Sequence, residues 1–312
     1  MRYISTLKEG QRISEIYLCK TKTVANTKTG KTYYSLTLQD KTGIVNAKIW
    51  DLTNAIHDFE ALDYIAIDAD VTVFMNALQL NIRRLRLADK SEYDTGDYMP
   101  VSPYDREEMY RELVGYVNSI GNDWLRSLAA SFFKNADFAE KFKLHSAAKT
   151  IHHSFVGGLL QHTLRVTQMC DYYSSRYPLI NRDLLITGAM LHDVGKREEL
   201  SGFPENDYTD EGQLVGHLVI GYRMLHERIA EMDGFPKALA SQLEHMILAH
   251  HGELEYGSPK KPATLEAVAL HYADDTDAKF QILSEVFDTS VGTGEWLGYN
   301  KILDSNVRKT TV

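Results

Sequence analysis

The sequence predicts a multidomain chain of mixed α and β class, with a five-stranded β-barrel at the N-terminus followed by an all-α domain. Three observations predict it. Apolar residues alternate at period two through residues 12–88, the mark of half-buried strands. From about residue 104 they recur at helical spacing almost to the end. Eleven of the 12 histidines lie after residue 144, with only His57 before it, so the two halves carry different chemistry. At roughly 150 residues per domain, 312 residues suggest two domains, each large enough for its own core.

The barrel is read from its strands in order. In KTYYSLTLQD (31–40), Tyr34, Leu36 and Leu38 share one face and Tyr33, Ser35 and Thr37 the other. Asp40-Lys41-Thr42-Gly43 follows as a tight turn. IVNAKIW (44–50) then points Val45, Ala47 and Ile49 inward, leaving Asn46, Lys48 and Trp50 outward. YIAIDADVTVF and LQLNIRRLRL flank a turn at Met75-Asn76-Ala77. Arg83-Arg84 breaks the last alternation and is expected to mark a bulge. About five short strands in under 90 residues make a small barrel. Residues 91–103, with Gly96, Pro100 and Pro103, read as a linker.

The helical half opens with Ser102 as expected cap, Pro103 at the first position and Asp105, Glu107 and Glu108 in the first turns. Helical patterns then cover 122–144, 155–175, 182–197, 213–232, 236–250 and 263–288. The expected organisation is 1–90 barrel, 91–103 linker, 104–150 helical connector, 151–290 all-α domain and 291–312 tail, the last residues frayed.

Charge divides the same way. The net charge of −9 is a net +3 over residues 1–90 and a net −12 over the remainder, a basic front and an acidic back. Cys19 and Cys170 lie far apart, which argues against a disulfide framework and for a reducing cytoplasm. No apolar run reaches the roughly 18–20 residues of a membrane span. The N-terminal MRYISTLKEGQRISEIYL has no basic segment leading into an apolar stretch, so no signal peptide is expected.

The helical half carries the chemistry. Leu191-His192-Asp193-Val194-Gly195-Lys196 ends an apolar helix and offers one nitrogen and one oxygen ligand side by side. His162 and His217 sit at helix starts, His250-His251 ends another helix, and Asp274 lies inside a mostly apolar one. A lone histidine on an apolar face is usually a satisfied core residue. Seven ionisable residues in apolar stripes are costly to bury without a shared partner, and a metal ion is one. Imidazole and carboxylate together suit Mn, Fe, Zn, Co or Ni. Lys196 reads either as a helix-end lysine favoured by the dipole or as a phosphate contact. His152 and His153 line a substrate path or form an exposed turn.

The order His162, His192-Asp193, Asp274 resembles the four-ligand pattern of HD-superfamily phosphohydrolases. His217 and His250-His251 match the extra histidines of members that hold more than one ion. The Ala-Asp-x-x-Asp-Ala run favours Asp274 over Asp275, and the His-Asp-x-Gly-Lys run implies a phosphate contact for Lys196. The motifs Gly30-Lys31-Thr32-Tyr33-Tyr34, Leu36 to Gly43, and Ala47-Lys48-Ile49-Trp50 resemble nucleic-acid-binding OB-folds. Such folds stack bases on aromatics beside a basic groove. Tyr33, Lys48 and Trp50 would share that face, and Arg83 is counted with it; the competing reading packs Trp50 under a capping helix.

An OB barrel before an HD domain resembles the YhaM-type 3′→5′ exoribonucleases over the whole chain. The resemblance implies hydrolysis of single-stranded RNA, and of DNA as a second substrate, to nucleoside 5′-monophosphates by metal-activated water. Manganese is the metal it implies, as one or two ions, with Asp193 and Lys196 in catalytic roles. It leaves open which of His250 and His251 is a ligand and whether the chain forms a homo-oligomer. One rival is an HD phosphohydrolase of a cyclic dinucleotide or free nucleotide, for which a stacking groove is superfluous. Another is a binding protein with a degraded HD site, disfavoured because no ligand is missing.

Overall fold

The computed structural model describes the chain except residues 28–29, 54, 75–76, 150–152, 290–293, 301–302 and 311–312. Two compact units result, one built on Met1–Val101, the other on Ser102–Gly202 and Asn206–Val312.

In the first unit five strands close a barrel in the order β1-β2-β3-β5-β4: β1 (Arg12–Asn26), β2 (Thr32–Asp40), β3 (Gly43–Ile49), β4 (Tyr64–Phe74) and β5 (Ala77–Leu87). Closure leaves β1 paired with both β2 and β4. The β3–β5 pairing is parallel. The alternation read from sequence is the one that packs: Leu36, Leu38, Val45, Ala47 and Ile49 are core, joined by Ile65, Ile67, Leu80 and Leu85. Asp40 ends β2 buried, accepting from the backbone N–H of Ile4 and of Thr42, which fixes the turn into β3. The bulge forms where Arg83-Arg84 break the alternation. Asp68 pairs with Arg84 but Ala69 with Ile82, so Arg83 is the extra residue.

The second unit is helical: α1 (Arg106–Ser119), α2 (Asp123–Phe133), α3 (Ala136–Leu144), α4 (Gly158–Arg176), α5 (Arg182–Leu191), α6 (Lys196–Glu199), α7 (Asp210–Val215), α8 (His217–Ala230), α9 (Lys237–Ala249) and α10 (Leu265–Thr289). Leu184 to Leu191 of α5 are all buried. A helix apolar on every side belongs in the centre, and α5 delivers His192-Asp193 from there.

Three expectations change. Ser102 is not the cap of α1. Asp105 is, accepting from the N–H of Glu108, while the Ser102 hydroxyl is buried against Gln161. The pattern over 122–144 is two helices, because Asn135 accepts from the N–H of Phe138 and starts α3 afresh. The C-terminal segment is not frayed throughout. Among the described residues β6 (Trp296–Asn300) pairs antiparallel with β7 (Ser305–Arg308), and the Arg308 guanidinium lies 5.9 Å from the Trp296 ring. No helix among the described residues is long and apolar enough to cross a membrane.

Candidate functional site

Each candidate ligand in the second unit sits where a helix begins, ends or crosses another. His162 lies one turn into α4. His192 caps the C-terminus of α5, with Asp193 next in the chain. His217 opens α8, behind Gly216 at φ 78°. His250 caps α9 and His251 follows it. Asp274 comes from the middle of α10.

These side chains meet. His162 Nε2 lies 3.2 Å from His192 Nε2, 3.4 Å from Asp193 Oδ2 and 3.1 Å from Asp274 Oδ1. His192 Nε2 lies 3.4 Å from Asp193 Oδ2. This first group holds two imidazoles and two carboxylates. A second gathers on the other Asp193 oxygen. His217 Nε2 and His250 Nε2 are each 3.6 Å from Asp193 Oδ1, and His217 Nε2 is 3.1 Å from His251 Nε2. Asp193 therefore faces both groups, one oxygen to each.

Every imidazole turns its Nε2 inward because its Nδ1 is bound behind it. Nδ1 donates to Ala189 O in His192, to Ile247 O in His250 and to Tyr256 O in His251, at 2.7–2.8 Å. Nδ1 bonds Asp277 Oδ2 at 2.7 Å in His162 and Glu199 Oε1 at 2.8 Å in His217. A carbonyl only accepts, so those rings carry Nδ1–H and keep the Nε2 lone pair for the centre.

The electrostatics call for positive charge. Burial raises the Asp193 pKa, but the Lys196 ammonium, the neighbouring His192 and contact with His162 hold it well below the usual carboxylate range. Burial also disfavours charge on His162, yet contact with Asp193, Asp274 and Asp277 lifts its ring well above the ordinary value. His250, where burial prevails, drops to about 3 and is neutral. Lys196 sits at the edge, its Nζ 2.6 Å from Asp193 Oδ2. Burial opposes its charge, but Asp193 and Asp274 raise its pKa and keep it an ammonium.

The residues fit a divalent cation. Asp193 Oδ1 and His250 Nε2 are buried with no hydrogen-bond partner among the described residues, a cost of about 1–3 kcal/mol per group when nothing pays it back. Imidazole nitrogen with carboxylate oxygen and no thiolate is the donor set of a borderline transition metal.

The first unit presents Tyr33, Lys48 and Trp50 on one outer face. The Tyr33 and Trp50 ring centres are 4.6 Å apart, tilted by 31°. Lys48 Nζ lies 5.5 Å from the Tyr33 ring centre and donates to Ser35 Oγ at 2.6 Å. Trp50 is 40 % exposed, and its Nε1–H donates to Asn81 Oδ1 on β5. No capping helix covers it among the described residues of this unit. Two residues along β5, Arg83 shares Asp70 with Arg12. Arg2, Arg12, Arg83 and Arg84, with Glu15 and Asp68, line a groove of about 700 Å³.

An HD-domain family model matches residues 159–279. A curated 3′-5′ exoribonuclease YhaM of Geobacillus sp. (strain WCH70) is 34% identical over 293 residues, covering 92% of this chain and 88% of its own. Its counterpart in Bacillus velezensis (strain DSM 23117 / BGSC 10A6 / LMG 26770 / FZB42) is 32% identical over 289 residues, covering 92% and 91%. The chain belongs to the YhaM family. A solved OB-fold domain of replication protein A from Methanococcus maripaludis aligns with 28% of the chain at 19% identity and a TM-score of 0.22, too low to argue from.

Within this family member the structure also shows what the sequence reading passed over. Asp277, three residues after Asp274 and so on the same face of α10, is 4% exposed and backs His162. Glu199, three after Lys196, backs His217 and also accepts its backbone N–H. The signal for Asp277 was its i,i+3 spacing; for Glu199 there was none. His145 bonds the backbone O of Lys196 through Nε2. His153, expected either to line a substrate path or to form an exposed turn, is fully buried and bonds Asp277 Oδ2 at 2.8 Å. His152 lies outside the described residues.

Proposed function

We propose that this chain hydrolyses single-stranded RNA from its 3′ end to nucleoside 5′-monophosphates at a two-ion centre that uses manganese. The observation that carries the hydrolytic half is the convergence of five imidazole Nε2 atoms on Asp193 and Asp274. The substrate and polarity come from the relatives, which match 92% of this chain. A divalent cation bound there supplies Lewis acidity to the phosphoryl oxygens and lowers the pKa of water.

The chain's own residues do the rest. His162, His192 and Asp274 hold one position, and His217, His250 and His251 the other, so both members of the His250-His251 pair are ligands. Asp193 spans the two. Lys196 spends one of its three donors on Asp193 and offers the others to a phosphoryl oxygen. Burial pushes the Cys19 thiol up to about 12 and Cys170 higher still. Neither is a ready nucleophile, and two buried free thiols suit a cytoplasmic protein.

The strand lies against the barrel, bases on Trp50 and Tyr33, phosphates toward Lys48, Arg83 and its neighbours. A stacking platform is superfluous for a cyclic dinucleotide or free nucleotide, so the rival substrates are not favoured. Trp50→Ala is expected to weaken single-stranded RNA binding by about 1–3 kcal/mol. Lys48→Ala should weaken it less and reduce the slope of log K against log salt by about 0.7, one phosphate contact on a single strand. Neither variant should slow cleavage of a small diester such as bis-p-nitrophenyl phosphate. Wild-type RNA affinity in folded Trp50→Ala protein would remove the platform.

The function itself is tested with 5′-labelled single-stranded RNA and Mn²⁺. The expected result is a ladder shortening from the 3′ end with release of 5′-monophosphates, abolished by EDTA and restored by added Mn²⁺; a DNA arm reads the second substrate. Endonucleolytic fragments or EDTA-resistant cleavage would overturn it.

A further inference from the structure

We infer that Asp277 and Glu199 are positioning residues, one for each ligand group, each orienting one imidazole of its own group. The inference rests on the two-ion reading above. Of the five inward-turned rings, three find their acceptor in the backbone. For His192 and His250 it is the carbonyl three residues earlier, at 2.7 and 2.8 Å. Carbonyls in the last turn of a helix have no intrahelical partner, so a histidine capping α5 or α9 gains its orientation from the helix end itself. His251 uses the carbonyl of Tyr256.

His162 and His217 have no such provision. His162 lies inside α4, where the carbonyls of the preceding turn serve the helix. His217 is the first residue of α8, and Gly216 before it brings no side chain. Both import a carboxylate instead. Asp277 crosses from α10 to His162 Nδ1 at 2.7 Å and is itself held by His153 Nε2 at 2.8 Å on the same oxygen. Glu199 reaches from α6 with one oxygen to both Nδ1 and the backbone N of His217, at 2.8 Å each. One carboxylate-backed ring falls in each group, and neither carboxylate contacts a ring of the other group.

His153, His162 and Asp277 also lie close enough together to resemble a third cation site. At 2.7 and 2.8 Å the nitrogens sit at hydrogen-bond length from Asp277 Oδ2, and His162 already gives its other nitrogen to the first group. The trio is a support.

Losing such a partner costs about 10–100-fold in metal affinity. The test uses full-length protein and Mn²⁺ alone, with binding read from the EPR signal of the free ion. His251→Ala isolates the first group and His192→Ala the second. Asp277→Asn, which keeps the acceptor oxygen, should weaken the remaining ion about 10–100-fold in the His251→Ala background and leave it unchanged in the His192→Ala background. Glu199→Gln should do the reverse. Equal effects in both backgrounds, or none in either, would overturn the inference, as would a third ion in wild-type protein. One ion in wild-type protein would instead overturn the two-ion reading. Thermal melting accompanies each variant; should one not fold, the other still decides, because its loss must be confined to one group.

Discussion

Asp193→Ala is expected to reduce hydrolysis of single-stranded RNA by about three orders of magnitude or more, the scale of losing several kcal/mol of metal-supplied stabilisation. The reason is its double position. Its Oδ2 lies 3.4 Å from His162 and His192 Nε2, and its Oδ1 3.6 Å from His217 and His250 Nε2. Among the described residues no other carboxylate is seen to turn one oxygen to each group, although His192, His250 and Asp274 also lie within 4.8 Å of one another, so its removal should lower Mn²⁺ content at both, whereas His192→Ala should affect the second less. Alanine also leaves the Lys196 ammonium without the carboxylate 2.6 Å away, and breaking a buried pair costs about 3–5 kcal/mol. Asp193→Asn is therefore run beside it, to separate lost chemistry from lost fold. RNA binding by the barrel should survive in both. Near-wild-type turnover in either folded variant would remove Asp193 from the centre.

The residues that converge in the second unit were legible because each breaks a pattern. His162, His192, Asp193 and Asp274 are ionisable residues inside apolar helical stripes, and burial without a partner is costly enough that sequence alone flags them. The barrel face was legible for a similar reason: once Val45, Ala47 and Ile49 point inward, period two sends Lys48 and Trp50 outward. Glu199 and His153 were not, because they break nothing. Glu199 stands in a charged Lys-Arg-Glu-Glu run that reads as solvated surface, and only the return of the chain to α8 brings it to His217. His153 beside His152 reads as an exposed pair, and only the crossing of α4 and α10 buries it on Asp277. Ser102 lost the cap of α1 to Asp105 because both are good cap residues and tertiary packing claimed the Ser102 hydroxyl for Gln161. The β6–β7 pair was missed because Ser-Asn-Val-Arg is short and polar and takes its pairing from a strand before it.

Gly195→Ala is the second variant expected to have a large effect, although it touches no ligating side chain. The glycine of the His-Asp-x-Gly-Lys run has ordinary helical dihedrals, φ −64° and ψ −25°, so an alanine there is not strained by its backbone. The obstacle is space. A Cβ at Gly195 would lie 2.2 Å from His217 O and 2.6 Å from Gly221 N, both backbone atoms of α8. The chain just after Asp193 thus packs backbone to backbone on the helix that begins with His217. A methyl group can be housed only by moving the start of α8, and with it His217 and its bond to Glu199. Overpacking of this kind costs about 1–3 kcal/mol and occasionally more, several degrees of melting temperature. Mn²⁺ affinity of the second group should fall with it, the first group losing less. Gly221→Ala is the control. Its Cβ would meet nothing closer than 3.4 Å, ordinary contact with Gly195 N and Ile247. Within a helix, alanine for glycine is worth up to about 1 kcal/mol in its favour. Gly221→Ala should therefore melt at or above the wild type and keep both ions. If Gly195→Ala matches it in melting temperature and Mn²⁺ content, the close approach of this loop to α8 does not hold the centre in place.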